Sequence, residues 1–191
     1  MHTRTKALHR CCRLRGDHVQ EGPPMSFYDG TAPLFTHALI ALSKVLAKGE
    51  AYVKDQGLAP EVLLNARLYP NMYPLTRQVQ LACDFSGRAC ARLAGVEVPA
   101  MPDTETTFAQ LQERIAKTIA HIKAIPPERY DGSDIRDVTF PVGKDQTKTL
   151  SGQRFLNHVA VPNFFFHCTT AYNILRHNGV PIGKLDFLGA N

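Results

Sequence analysis

The stretch that most constrains the fold of this chain runs from residue 151 to residue 179, SGQRFLNHVAVPNFFFHCTTAYNILRHNG. It is the longest run that can form a helix, and its large apolar side chains recur at helical spacing, at Phe155, Val159, Phe166 and Ile174. At about 100° per residue, Asn163, His167 and Thr170 lie on that same face. Because this face must pack against neighbouring helices, the interior of the predicted bundle has to accommodate an amide, an imidazole and a hydroxyl.

Proline 162 lies inside this predicted helix. A proline lacks the backbone N–H donor and should bend the helix near Asn163. A bend beside polar side chains on an apolar face is a place where a cavity can form. Asn163 and His167 are therefore the first candidates for a functional site.

The rest of the chain predicts three more long helices, at about 31–54, 74–95 and from Thr106 or Thr107 to Ala124, with a short helical piece at 60–66. Between the third and the last helix, the β-branched runs DVTFPV and QTKTL flank Gly143-Lys144-Asp145 and predict a small hairpin. The expected fold is all-α, a four-helix bundle with a small β-hairpin before the last helix.

The loop ARLYPNMYP, which precedes the second long helix, carries Arg67, Tyr69 and Tyr73. Each proline in it biases the preceding residue towards an extended conformation. A rigid loop with these side chains could wall a pocket. Alternatively, the tyrosines cover the end of the bundle and Arg67 caps a carbonyl.

Gln80 and Asp84 lie one turn apart on the second long helix. Their helical phase is at the boundary of the apolar stripe or on its solvent side, which favours plain surface residues. In the alternative interpretation, one of them approaches His167 and completes a polar site.

Length, charge and cysteine content exclude several classes of protein. The 191 residues are typical of one domain, and no run approaches the roughly 18 apolar residues of a membrane span. Of the net charge of +5, residues 1–24 carry +3, so the remaining chain is nearly neutral and is not expected to bind nucleic acid.

Cys83 and Cys90 lie two turns apart on one predicted helix, about 10 Å, which is too far for a disulfide. Their spacing also makes no zinc motif. Reduced thiols and a cytoplasmic location are expected.

Residues 1–24, MHTRTKALHRCCRLRGDHVQEGPP, have no sustained apolar period and predict a disordered basic extension. No apolar core of a secretory signal is present in them. A translated leader ahead of a start at Met25 is an alternative. The folded domain is expected to cover residues 25–191.

Three stretches, MSFYDGTAPLFTHAL, LLNARLYPNMYPLTRQVQLACDF and PNFFFHCTTAYNILRHNGVPIGKLDFLG, resemble the DUF1993 family, over about residues 25–189. This family is similar to the DinB/YfiT-like clan of helical bundles. The resemblance implies four long helices in up-down-down-up order. It also implies a divalent metal held by three histidines, as in better-known members of the clan.

The metal motif of the clan is only partly present. Its last helix ends in a His-x-x-x-His run ahead of Leu-Arg and Gly, which places His167 at the second histidine and Asn163 at the first. Gln80 or Asp84 occupies the region of the histidine on the second helix. One imidazole and a neutral amide are a poor set for zinc or nickel. His167 and Asn163, with Asp84 as the carboxylate, could still bind a harder ion weakly or hold a water.

Two functions therefore remain open. In the first, the bundle holds a small molecule or a metal around His167, which acts as ligand or general base while Asn163 orients substrate or water. The residues expected to contact the substrate are Arg67, Tyr69, Tyr73, Gln80 and Thr170. In the second, the bundle is structural or self-associates as a homodimer. His167 and Asn163 are then satisfied by each other and by carbonyls freed at Pro162.

Overall fold

The structure, a computed structural model, describes residues 26–190. The predicted extension, residues 1–24, lies outside this range. The first half of the described chain forms helices α1 (Ala32–Asp55), α2 (Glu61–Leu64), α3 (Leu75–Ala94) and α4 (Phe108–Ala124). A 3₁₀ turn at Pro127–Tyr130 then leads to strands β1 (Asp137–Val142) and β2 (Gln146–Ser151), and the chain ends in helices α5 (Gly152–Phe155), α6 (Val161–His177) and α7 (Lys184–Phe187).

The predicted helices have local causes that the structure retains. At the start of α4, Thr107 Oγ1 accepts a hydrogen bond from Gln110 N, and Gln110 Oε1 accepts one from Thr107 N, each at 3.2 Å. This reciprocal pair satisfies two backbone donors that a helix start leaves open. Gly95 ends α3 with φ 64°, in the left-handed region that favours glycine.

Four long helices enclose the core. Helix α3 packs against α4 and α6, and α1 packs against α4 and α6. Aromatic rings cross the interior, and Phe35 of α1 meets Phe164 of α6 edge to face at 4.9 Å between ring centroids. The two strands pair antiparallel, with Val138 opposite Leu150, and Val138 is buried. The described chain is thus mostly helical with one small two-stranded sheet.

A π turn at Leu156–Ala160 joins α5 to α6. The N–H of Val161 donates to the carbonyl of Leu156, five residues back. The sequence predicts a bend near Asn163 that is caused by Pro162. The structure has a wider π turn just before Pro162. This turn makes room for the pyrrolidine ring of Pro162 beside the carbonyls of the preceding residues.

Phe166 departs from the predicted apolar stripe, since 55% of its surface is exposed. The neighbouring Phe164 is fully buried in its place. Between residues 26 and 190, no helix has both the length and the apolar character that crossing a membrane requires.

Candidate functional site

His167 lies on α6 and faces α3, with 8% of its surface exposed. Its Nδ1 atom is 2.7 Å from Oε1 of Gln78. The Nε2 atom of Gln78 donates to the carbonyl of Tyr73 at 3.0 Å, so the amide oxygen must face the imidazole. It follows that Nδ1 of His167 carries the proton and Nε2 has the free lone pair. Sequence reasoning missed Gln78, which is 89 positions away in the chain.

The imidazole ring of His167 lies between two aromatic side chains. Phe85 stacks on it at 5.4 Å with an interplanar angle of 17°, and Phe166 meets it edge-on at 5.3 Å. Burial, together with the positive charge of Arg77, lowers the pKa of His167 to about 4. The ring is therefore neutral at pH 7 and is a weak base there.

Asn163 and Thr170 share the face of His167 but do not bond to it. The Nδ2 atom of Asn163 donates to the carbonyl of Val159, and the hydroxyl of Thr170 donates to the carbonyl of Phe166, each at 2.7 Å. The expected mutual satisfaction of Asn163 and His167 is absent from these contacts. Asn163 bonds instead to the carbonyl of Val159 in the π turn, which is not the carbonyl that the missing N–H of Pro162 would free.

Gln80 and Asp84 are buried, at 4% and 6% exposure, although their helical phase favoured surface positions. Neither hydrogen-bonds to His167. Asp84 Oδ1 accepts from Arg114 Nη2 at 2.6 Å, and Asp84 Oδ2 accepts from Arg88 Nη2 at 3.1 Å. Gln80 Nε2 donates to Glu105 Oε2 at 2.9 Å. Gln80 and Asp84 are buried because α4 and the linker before it cover this side of α3 as well, so that α3 is packed on two sides.

Arg114 of α4 is the centre of this polar network and is only 2% exposed. Besides Asp84, its guanidinium contacts Asp103 at 3.1 Å and Glu105 at 2.9 Å. Burial raises the pKa of Glu105, but the hydrogen bonds and positive charge of Arg114, with hydrogen bonds from the backbone and from Gln80, together hold that pKa below its usual range. Sequence reasoning missed Arg114. The available signal was an arginine at the edge of the apolar stripe of α4, four residues before the buried Thr118.

The residues present do not fit the metal site that the family resemblance implies. His167 is one imidazole, and both oxygens of Asp84 are already held by arginines. Over the described part of the chain, no group of three or more His, Cys, Asp or Glu side chains could hold a metal ion. The proposed ligand pair of His167 and Asp84 therefore lacks the donors that a transition metal requires.

In the loop before α3, Arg67 makes the carbonyl contacts of the second interpretation, whereas the two tyrosines are mostly exposed. Arg67 Nη1 donates to the carbonyls of Met72 at 3.2 Å and Pro70 at 3.4 Å, so it caps the loop's own backbone. Tyr69 and Tyr73 are 64% and 57% exposed. These three candidates lie outside the cleft that the structure forms nearby.

That cleft, the α3 cleft, lies between α3, the hairpin and the π turn and has a volume of about 440 Å³. Its polar lining consists of Arg77, Asp84, Arg88, Arg92, Asp103 and Asn163. Its apolar lining consists of Leu81, Phe85, Phe140, Pro141, Val142, Phe155 and Val159. Of the predicted site residues, it contains Asp84 and Asn163. His167 lies behind the cleft wall, against Phe85.

Known proteins give the chain a family but no activity. No curated protein matches it. A crystal structure of a DinB family member protein from Shewanella denitrificans is 38% identical, with 86% of this chain and 92% of that chain covered and a TM-score of 0.80. The family model described as a domain of unknown function, DUF1993, matches residues 27–188. On that match, and as the three sequence motifs predicted, this chain belongs to the DUF1993 family.

Proposed function

We propose that this protein binds a small organic molecule in the α3 cleft. The observation that carries the proposal is a cleft of about 440 Å³ with aromatic walls and convergent polar groups. Volumes of about 300–1,000 Å³ and a mostly apolar lining with a few placed polar groups are typical of ligand sites. The π turn beside it adds support, since such turns are frequent at functional sites.

Two features give the cleft a rigid polar rim. Asp84 and Asp103 are held from behind by Arg114, which is fully enclosed by protein. The Nδ2 atom of Asn163 donates to the carbonyl of Val159. Its Oδ1 atom accepts no hydrogen bond from residues 26–190. A hydroxyl or amine of the ligand is the natural partner of that oxygen.

His167 supports the wall of the cleft in this proposal, because its ring stacks on Phe85 and its Nδ1 proton is directed to Gln78. A catalytic role of His167 and Asn163 stays a prediction. Substrate contacts by Arg67, Tyr69, Tyr73, Gln80 and Thr170 stay predictions as well.

The absence of tryptophan from the chain makes the test direct. A Val142→Trp variant carries a single indole at the mouth of the cleft, where Val142 is 45% exposed. Leu185→Trp, on exposed α7, is the matched control. We expect compounds from a library of neutral and charged fragments to change the emission of the first indole and not of the second. A library that leaves both indoles unchanged contradicts the proposal.

A structural bundle without a ligand is the second candidate. It is favoured by the intramolecular hydrogen bonds of His167 Nδ1 with Gln78 and of Asn163 Nδ2 with Val159. In that case His167→Ala lowers the melting temperature, and no compound protects the wild type selectively. A compound that stabilises the wild type and fails on a cleft variant decides against this candidate.

Three further predictions are kept as proposals: the up-down-down-up order of the long helices, a homodimer and a cytoplasmic location. The last is supported by Cys83, Cys90 and Cys168, which are buried free thiols. Light scattering of the purified full-length chain tests the homodimer, and a monomer mass at micromolar concentration rejects it.

A further inference from the structure

Arg92 differs from the other arginines of the α3 cleft because its side chain has no partner among the residues that the structure describes. Arg77 is paired with Asp103, and Arg88 is paired with Asp84. Arg92 is half-buried in the same cleft, yet across residues 26–190 its side chain makes no hydrogen bond and no ion pair. A guanidinium carries five N–H donors, so several of them are available to a ligand.

The surroundings of Arg92 add a second charge of the same sign. Burial lowers the pKa of Arg92, and the positive charge of Arg88 lowers it further. Arg88 lies one turn earlier on α3, so the two side chains project to the same side of the helix. A half-buried cation beside another cation is stabilised when an anion arrives.

The charges around the cleft set the charge of that anion. Of the described residues, three arginines and two aspartates line the cleft, which leaves one positive charge uncompensated among them. If the buried Arg114 and its partner Glu105 are added, the balance is four against three and the excess is the same. A single negative charge neutralises the cleft, and a dianion would leave it negative.

The rest of the cleft is apolar. Phe140 and Phe155 face each other at 5.0 Å between ring centroids, and Leu81 and Val159 continue the wall. A small inorganic anion would leave this surface uncovered. An alkyl or aryl group covers it, and removal of this apolar surface from water favours binding.

We infer that the α3 cleft selects an organic acid with one carboxylate and an apolar body, and that Arg92 receives the carboxylate. This inference rests on the proposed function and names its ligand class. The planar guanidinium and a carboxylate form two parallel hydrogen bonds, which orient the acid with its hydrocarbon part over Phe155 and Phe140.

The experiment measures dissociation constants by calorimetry with the full-length protein and named probes. Octanoate and 3-phenylpropanoate are the acids, their primary amides are the neutral controls, and octyl phosphate is the dianionic control. Each probe is titrated into wild type, Arg92→Gln and Arg176→Gln. Arg176 is an exposed arginine at the end of α6, outside the cleft, and serves as the matched control.

We expect the acids to bind wild type at least about tenfold more tightly than the amides, which is the effect of one charge-assisted hydrogen bond. Arg92→Gln should bring the dissociation constants of the acids to those of the amides, and Arg176→Gln should keep the preference of the wild type. The melting temperature of Arg92→Gln is expected to equal or exceed that of wild type, because the substitution removes an unpaired, half-buried charge. A folded Arg92→Gln protein thus separates loss of binding from loss of structure.

Other outcomes reject the inference in distinguishable ways. Equal binding of acids and amides, unchanged in Arg92→Gln, rejects the acid class and leaves the ligand cleft in place. Tighter binding of octyl phosphate than of octanoate rejects the inference that the ligand carries a single negative charge. If no acid binds while neutral fragments still change the Val142→Trp emission, only the inference about Arg92 fails. If every probe fails and the indole reporter is silent, the proposed function itself fails.

Discussion

Acidification is expected to destabilise the protein through His167. The ring binds a proton only below about pH 4 in the folded state, because it is buried between aromatic side chains and lies near Arg77. An unfolded histidine binds its proton near pH 6.5. Between these two values the unfolded state binds more protons, so the free energy of unfolding falls as the pH falls.

The size of this effect follows from the two pKa values. Each pH unit between them lowers the free energy of unfolding by about 1.36 kcal/mol, so the loss amounts to about 3 kcal/mol at pH 4. The effect is absent well above pH 6.5 and complete below pH 4. It is a large share of the 5–15 kcal/mol that typical domains have.

Urea denaturation from pH 7.5 to pH 4, with wild type and His167→Gln, measures the effect. Other titrating groups contribute equally to both proteins, so the difference between their unfolding free energies isolates His167. We expect the wild type to lose about 3 kcal/mol relative to the variant across this range. His158→Gln, which removes an exposed histidine from the π turn, should follow the wild-type curve. Parallel curves for wild type and His167→Gln would refute the assignment of a neutral, buried imidazole.

Two further predictions concern packing and charge. Gly152→Ala should lower the free energy of unfolding by at least about 2 kcal/mol, measured by urea denaturation, because the new Cβ would lie 1.8 Å from the backbone oxygen of Ser133. Asp84→Ala should lower the melting temperature and should lower the free energy of unfolding by about 2 kcal/mol. This is less than for an isolated buried pair, because Arg114 keeps other carboxylates.

Each of these variants has a matched control. Gly183→Ala meets no heavy atom within 4 Å and should stay within about 0.5 kcal/mol of wild type. Glu113→Ala breaks the exposed Glu113–Lys117 pair and should cost at most about 0.5 kcal/mol. If Gly152→Ala or Asp84→Ala behaves like its control, the packing or the buried network described above is wrong.

The helices and the hairpin were predictable because their causes are local. The capping pair of Thr107 and Gln110 spans three residues, and the glycine stop at Gly95 is one residue beyond α3. The periodicity of the last helix correctly directed His167 to the interior. The same periodicity wrongly predicted that Phe166 is buried. The wider π turn rotates the residues that follow it about the helix axis, relative to those that precede it.

The partners of the polar residues were not predictable in the same way. Asp84 and Gln80 looked exposed because one stripe of α3 was counted, whereas α4 and the linker bury a second side. The pairings of Asp84 with Arg114 and of His167 with Gln78 join residues 30 and 89 positions apart. No spacing rule along one helix reaches across such distances.

The amino-acid sequence by itself determined where the helices and the hairpin form, which face of the last helix turns inward and which family the chain belongs to. Only the tertiary structure decided which groups meet within residues 26–190: Gln78 with His167, Arg114 with three carboxylates, and the side chain of Arg92 with none. The physical reason is the range of the forces involved. Helix periodicity and capping act within a few residues, whereas burial and charge pairing depend on which helices pack together.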